Sequence, residues 1–256
     1  MMMTLPVLSI AFLCGLLLRT AFTHRRTSGQ LAGDDRLVVR RNARSTGAMT
    51  FLNVRRGVQL LIGLFLYGFS LAMMIRATLG VSPWDVLAQG GSVQTGIPFG
   101  FMTNIVGVVV LLLWIPLRQR PGVGTVLNVL LVGPSAEVGL AVLAEPDALW
   151  ARILLFTGGL VSLAVATGLY LGARLGPGPR DGLMTGLHQR FALPIWLVRT
   201  GIEGTVLLLG WLLGGSVGLG TVAFALLIGP MINLLLPVFR VPERRAPEPD
   251  AVDAGP

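Results

Sequence analysis

Lysine is absent from this chain: all 20 of its basic residues are arginine. That is a codon-usage trait of a GC-rich genome and points to no chemistry. Cysteine is nearly absent too. Cys14 stands alone, so no disulfide can close within the chain, and a cysteine-built metal site lacks its ligands. His24 and His188 are the only histidines, too few for a multi-histidine metal site. Charge is scarce at 12% of residues, about half the share of a soluble domain. The sequence contains no H-E-x-x-H zinc motif, no G-x-S-x-G nucleophile elbow and no G-x-x-x-x-G-K phosphate loop. These absences argue against an enzyme, and no cofactor is expected. The net charge of +8 raises the question of nucleic acid. The arginines, however, sit at the ends of apolar segments, where membrane topology accounts for them.

What the chain has is apolar length and repetition. Hydrophobic residues make up 53% of it, in stretches longer than the roughly 18 residues that mark a spanning helix. The chain also repeats itself at an offset of 96 residues. Leu79-Gly80 recurs as Leu175-Gly176, and Pro83 and Asp85 recur as Pro179 and Asp181. Pro98 recurs as Pro194. Gly122, Gly124 and Thr125 recur as Gly218, Gly220 and Thr221, and Gly133-Pro134 as Gly229-Pro230. Self-similarity at a fixed period reports two copies of one structural unit.

Six spans are predicted, at about 57–77, 100–117, 123–144, 151–172, 195–213 and 217–239. Short helices over 83–94 and 179–190 are too short to cross. Arginine placement sets direction. Arg55, Arg56, Arg118, Arg120, Arg174, Arg180, Arg190, Arg240, Arg244 and Arg245 all fall on one side if the chain crosses six times. The opposite side holds only Arg76 and Arg152. Arginine-rich loops face the cytoplasm, which places both termini there. Three crossings per unit is an odd number, so the second copy would enter from the opposite face. The expected fold is therefore all-α. It is a polytopic membrane protein of six transmembrane helices arranged as an inverted 3+3 repeat, with a short non-spanning helix between the first and second helix of each repeat.

Residues 54–240 form the expected transmembrane domain, with repeat one at about 57–144 and repeat two at about 151–239. Residues 1–53 read as a disordered extension with an apolar segment at 5–22, or as the product of a start assigned upstream of Met49. Residues 241–256 read as a disordered cytoplasmic tail.

Gly80-Val81-Ser82-Pro83-Trp84-Asp85-Val86-Leu87, Arg120-Pro121-Gly122-Val123-Gly124-Thr125 and Gly176-Pro177-Gly178-Pro179-Arg180-Asp181-Gly182 carry a family likeness. They resemble the YczE/YitT-like bacterial integral membrane proteins over about residues 54–240. The resemblance implies a multi-span inner-membrane protein and supplies no catalytic residues.

Three constellations are candidates for chemistry. In Ser82-Pro83-Trp84-Asp85, Ser82 suits an N-cap, Pro83 the first helical position, and Asp85 the free amides of the first turn. Gly178-Pro179-Arg180-Asp181 has the same layout. Asp85 and Asp181 either stabilise helix starts only or line the two mouths of one pathway. Second, Gly133-Pro134 and Gly229-Pro230 interrupt matching spans, with Glu137 and Asn233 just beyond. They read either as packing kinks or as pointers to a central site. Third, Arg199 and Glu203 share a helix face at four-residue spacing. They form either a local ion pair or a working carboxylate with its partner.

Gly158, Gly159, Gly168, Gly172, Gly201 and Gly204 are expected to let helices approach closely. Gly214-Gly215 fits a tight turn. Trp84, Trp114, Trp150, Trp196 and Trp211 fit an interfacial belt, and His188 fits a solvated cytoplasmic position.

The leading expectation is a small secondary transporter or permease of the bacterial cytoplasmic membrane, with an unknown small molecule or ion as its ligand. Asp85, Asp181, Glu137, Asn233, Glu203 and Arg199 would line the path. The bilayer is the expected partner and nucleic acid is not; the pattern is compatible with a homo-oligomer. The alternative is a non-transporting membrane scaffold or regulator of a partner protein.

Overall fold

The computed structural model describes residues 35–241, with side chains from residue 53 onward. The chain divides into two units, Met1–Ala48 and Met49–Pro256, and the packing and the site described below belong to the second. The segment 5–22 and residues 242–256 lie outside the described residues. The described backbone is helical from Asp35.

The described residues form eight helices and no strand. They are α1 (Asp35–Ala77), α2 (Pro83–Thr95), α3 (Phe99–Trp114), α4 (Val123–Val142), α5 (Leu149–Gly172), α6 (Pro179–Phe191), α7 (Ile195–Leu212) and α8 (Leu219–Phe239). Five stretches are long and apolar enough to cross a membrane: Asn53–Ala77 within α1, then α4, α5, α7 and α8. The expected span at 100–117 is the one that differs. α3 has 16 residues, about 24 Å at 1.5 Å per residue, which is short of a ~30 Å hydrocarbon layer. It forms a pair with α2, bent by 116°, and six spans result only if that pair counts as one.

Local signals set the ends of the short helices. Ser82 is the N-cap of α2, with its oxygen accepting the Asp85 N–H at 3.3 Å, and Pro83 follows at N1. Gly96, at φ 71°, stops the helix in the left-handed region that a side chain disfavours. α6 begins in the same way, with Gly178 at the cap and Pro179 at N1.

The offset of 96 carries into the backbone. Eight described residues have positive φ, and they fall into four pairs: Thr78 with Arg174, Gly80 with Gly176, Gly96 with Ala192, and Arg118 with Gly214. Contacts between the halves are crossed. The Gly220 N–H donates to the Leu79 carbonyl at 2.7 Å, and the Gly124 N–H donates to the Leu175 carbonyl at 2.8 Å. Adding 96 to Leu79 gives Leu175 and subtracting 96 from Gly220 gives Gly124, so the offset exchanges these two bonds. Helix packing crosses in the same manner, α2 lying against α7 and α3 against α6.

Leu60, Leu64, Leu71, Met74, Val86 and Leu163 are fully buried in the main core. A second cluster joins Trp84, Val110, Trp114, Leu183 and Val206. Trp84 and Trp114 are therefore core residues rather than members of a surface belt, while Trp150, Trp196 and Trp211 are exposed. Gly159, Gly168 and Gly172 lie close against Met74 and Phe239, as expected for packing glycines. Gly201 and Gly204 are different: a methyl group at either would meet nothing within 4 Å. The proline breaks are also softer than predicted, since α4 continues through Pro134 and α8 through Pro230. In α4, side chains occupy the disturbed backbone. The Gly133 N–H donates to Asn104 Oδ1 at 3.0 Å, and Ser135 Oγ donates to the Leu131 carbonyl at 2.7 Å.

Candidate functional site

A cavity of about 120 Å³ lies between the two halves. At roughly 10–15 Å³ per probe-filled water site, it has room for on the order of ten waters. Its wall repeats the offset of the sequence. Tyr67 and Leu163, Ser82 and Gly178, Pro83 and Pro179, and Trp84 and Arg180 are pairs 96 apart that all line it. So are Thr103 and Arg199, Gly107 and Glu203, Asn128 and Phe224, and Val132 and Ile228.

Position is shared between the halves, but chemistry is not. Every charged lining residue (Arg180, Asp181, Arg199, Glu203) comes from the second half. At the paired positions the first half offers Trp84, Thr103 and Gly107, and Asp85 is not in the wall.

The two motif aspartates have different surroundings. Asp85 is 1% exposed. It accepts the Ser82 hydroxyl and pairs with Arg180 at 3.2 Å. Arg180 reaches it from α6 and lies over the Trp84 ring, 5.3 Å from its centroid. Burial works against the charge of Arg180, but Asp85, Tyr67 and Asp181 together outweigh it, so the guanidinium titrates above its ordinary value.

Asp181 is exposed and is one of the residues lining the cavity. Tyr170 donates its hydroxyl to Asp181 Oδ2 at 2.8 Å. Enclosure by the protein pushes the Asp181 carboxyl above the usual carboxylate range; the Tyr170 hydroxyl, Arg180, Arg199 and the Gly178 N–H pull it down without cancelling that effect.

On α7, Arg199 Nε donates to Glu203 Oε1 at 3.0 Å. Asn104 and Asn128 add amides from α3 and α4, and Thr167 a hydroxyl from α5.

The structure thus brings Asp181, Arg199 and Glu203 together at one cavity, with Asp85 held behind Arg180. It does not bring Glu137 and Asn233 there. Glu137 Oε1 accepts the Gly100 N–H at 2.6 Å, so this carboxylate caps the first turn of α3. Asn233 is exposed on α8. Pro134, Gly229 and Pro230 are absent from the cavity wall, as is Gly133. His188 lies apart from it, with Nδ1 2.6 Å from the Leu193 carbonyl. Sequence reasoning missed Arg180, Tyr67, Tyr170, Asn104 and Asn128 as wall residues. A usable signal existed for the two asparagines and two tyrosines, which are polar groups inside otherwise apolar spans.

A family model describing a family of unknown function (DUF6198) matches residues 54–237. The chain belongs to that family. The chain is similar to an uncharacterized protein of Haemophilus influenzae, 42% identical over 177 residues, or 69% of this chain and 81% of that one. The uncharacterized membrane protein YczE of Bacillus subtilis is 30% identical over 177 residues, 68% of this chain and 82% of its own. The uncharacterized protein YyaS of Bacillus subtilis is 24% identical over 181 residues, 69% and 90% of the respective chains. No solved structure matches the chain. Together with five to six candidate spans, these relatives make this DUF6198 member a membrane protein.

Proposed function

We propose that this protein is a small secondary transporter or permease of the bacterial cytoplasmic membrane, with both termini in the cytoplasm. Its ligand is a small polar molecule or ion that passes through the cavity between the halves. The observation that carries this reading is the cavity itself. In a chain with this much lipid-length apolar helix, four charged side chains, two asparagines and two tyrosines converge on one internal space. Ionisable groups at membrane depth are costly unless they face protein or water, and they mark pathways.

The crossed bonds of Leu79 with Gly220 and Leu175 with Gly124 support an inverted 3+3 arrangement. A two-fold relation exchanges contacts in this way, and inverted repeats place substrate sites where the copies meet.

The test is flux in proteoliposomes over panels of ions and small metabolites. Asp181→Asn and Glu203→Gln are expected to lower any flux found at least tenfold, whereas Asn233→Ala leaves it unchanged. Orientation is checked in a Cys14→Ser background. Arg120→Cys and Arg190→Cys are expected to react with an impermeant maleimide from the same face, and labelling from opposite faces would reject the inverted arrangement.

A further inference from the structure

We propose that Asp181 is the carboxylate through which the cavity takes up and releases a proton, while its counterpart Asp85 is a fixed counter-ion. The proposal deepens the transport reading by naming a driving ion and the residue that carries it.

Three observations lead there. The first is access: Asp181 is exposed and lines the cavity, and Asp85 is sealed at 1% exposure and is not in its wall. The second is partnership. Arg180 is committed to Asp85 at 3.2 Å, and Arg199 to Glu203 at 3.0 Å, which leaves Asp181 with a neutral hydroxyl donor and no ion pair.

The third is charge balance. The groups facing Asp181 are Tyr170 from α5, Tyr67 from α1, Arg180 on its own helix, Arg199 and Glu203 from α7, and Asp85 from α2 behind Arg180. The wall residues from α3, α4 and α8 carry no charge. Two guanidiniums therefore stand against three carboxylates. One negative charge is left in excess, and one proton on Asp181 brings the cluster to neutrality. The upward displacement of the Asp181 carboxyl by partial loss of hydration agrees with this. The step is proton transfer alone. A cavity water or hydronium gives H⁺ to the Asp181 oxygen, one O–H bond breaks as another forms, and release reverses it.

The experiment is pH-difference infrared spectroscopy on the full-length protein in lipid nanodiscs, following the C=O stretch of a protonated carboxyl. The wild type is expected to show such a band titrating well above the ordinary aspartate value of about 4. Asp181→Asn removes it, and Asp85→Asn and Glu203→Gln retain it. Tyr170→Phe, which deletes one hydrogen bond, shifts its frequency and decides the matter if Asp181→Asn does not fold. Absence of the band in wild type, its survival in Asp181→Asn, its loss in Asp85→Asn or an unmoved frequency in Tyr170→Phe each overturns the proposal. Abolition of the band by sodium at constant pH would give the site to a metal cation and overturn it too. The two readings separate cleanly. A band without any flux rejects the transporter and leaves the proton site standing; flux without a band does the reverse.

Discussion

Trp84 and Arg180 occupy the same position in the two halves of this protein, and they touch, with the guanidinium carbon 5.3 Å from the indole centroid. A residue in contact with its own counterpart lies where a two-fold relation would put its axis. There the halves hold an aromatic face and a cation, a pairing that two identical residues would not make. The same position supplies the ion pair to Asp85, so Arg180 joins the halves twice.

Removing Arg180 is therefore expected to damage folding before it damages any transport. Arg180→Met leaves the sealed Asp85 carboxylate without its cation, a change that typically costs about 3–5 kcal/mol. Asp85→Asn combined with Arg180→Met recovers most of that loss. Reversible unfolding in mixed micelles, read as a double-mutant cycle, measures the coupling.

Gly182 lies against the indole of Trp114, where any added Cβ would collide with ring atoms. The ring cannot easily give way, because it is buried and its Nε1–H donates to the Pro179 carbonyl at 3.0 Å. Gly182→Ala is expected to destabilise by about 1–3 kcal/mol through overpacking. Gly204→Ala, with open space at the same atom, is neutral or stabilising by about 1 kcal/mol on helix propensity. Thermal unfolding in detergent ranks the pair.

Glu137 is expected to behave as a helix cap. Glu137→Ala strips the acceptor from the Gly100 N–H and loses about 0.5–2 kcal/mol, while Glu137→Gln keeps an acceptor oxygen and loses much less. Neither changes flux per folded molecule, which flux normalised to folded protein verifies.

Asp181 makes stability depend on pH with a definite sign. Loss of hydration among the surrounding helices raises its carboxyl in the folded protein, so the folded state keeps its proton to higher pH than the unfolded chain does. Where the folded state binds more protons, stability falls as pH rises. Melting temperature is expected to decline from about pH 4 upward until the raised folded value is passed, and Asp181→Asn flattens that decline. Melting curves across pH in one detergent test it.

The architecture was legible wherever covalent pattern dictates geometry. The offset that relates Leu79 to Leu175 in the sequence relates Gly80 to Gly176 in backbone conformation, because the turn needs a residue that tolerates positive φ. Ser82 and Pro83 mark a helix start on steric and hydrogen-bonding grounds alone. Asp181, Arg199 and Glu203 were visible as charges beside or within apolar spans. Arg180 was hidden because an arginine at a span end also reports topology, and sequence does not separate the two roles. Glu137 misled for a related reason. Its place after Gly133-Pro134 pointed inward, but only the fold shows that the α3 amides lie within its reach. Trp84 and Trp114 looked like belt residues because burial within a protein and burial in a membrane interface favour the same side chain.

Each half of this chain ends a turn by handing a carbonyl, Leu79 or Leu175, to an amide of the other. A surface that is its own complement needs no covalent tether to be recognised. Cut within the Leu143–Ala148 connection, the two fragments would retain both clasps and could find each other as separate polypeptides.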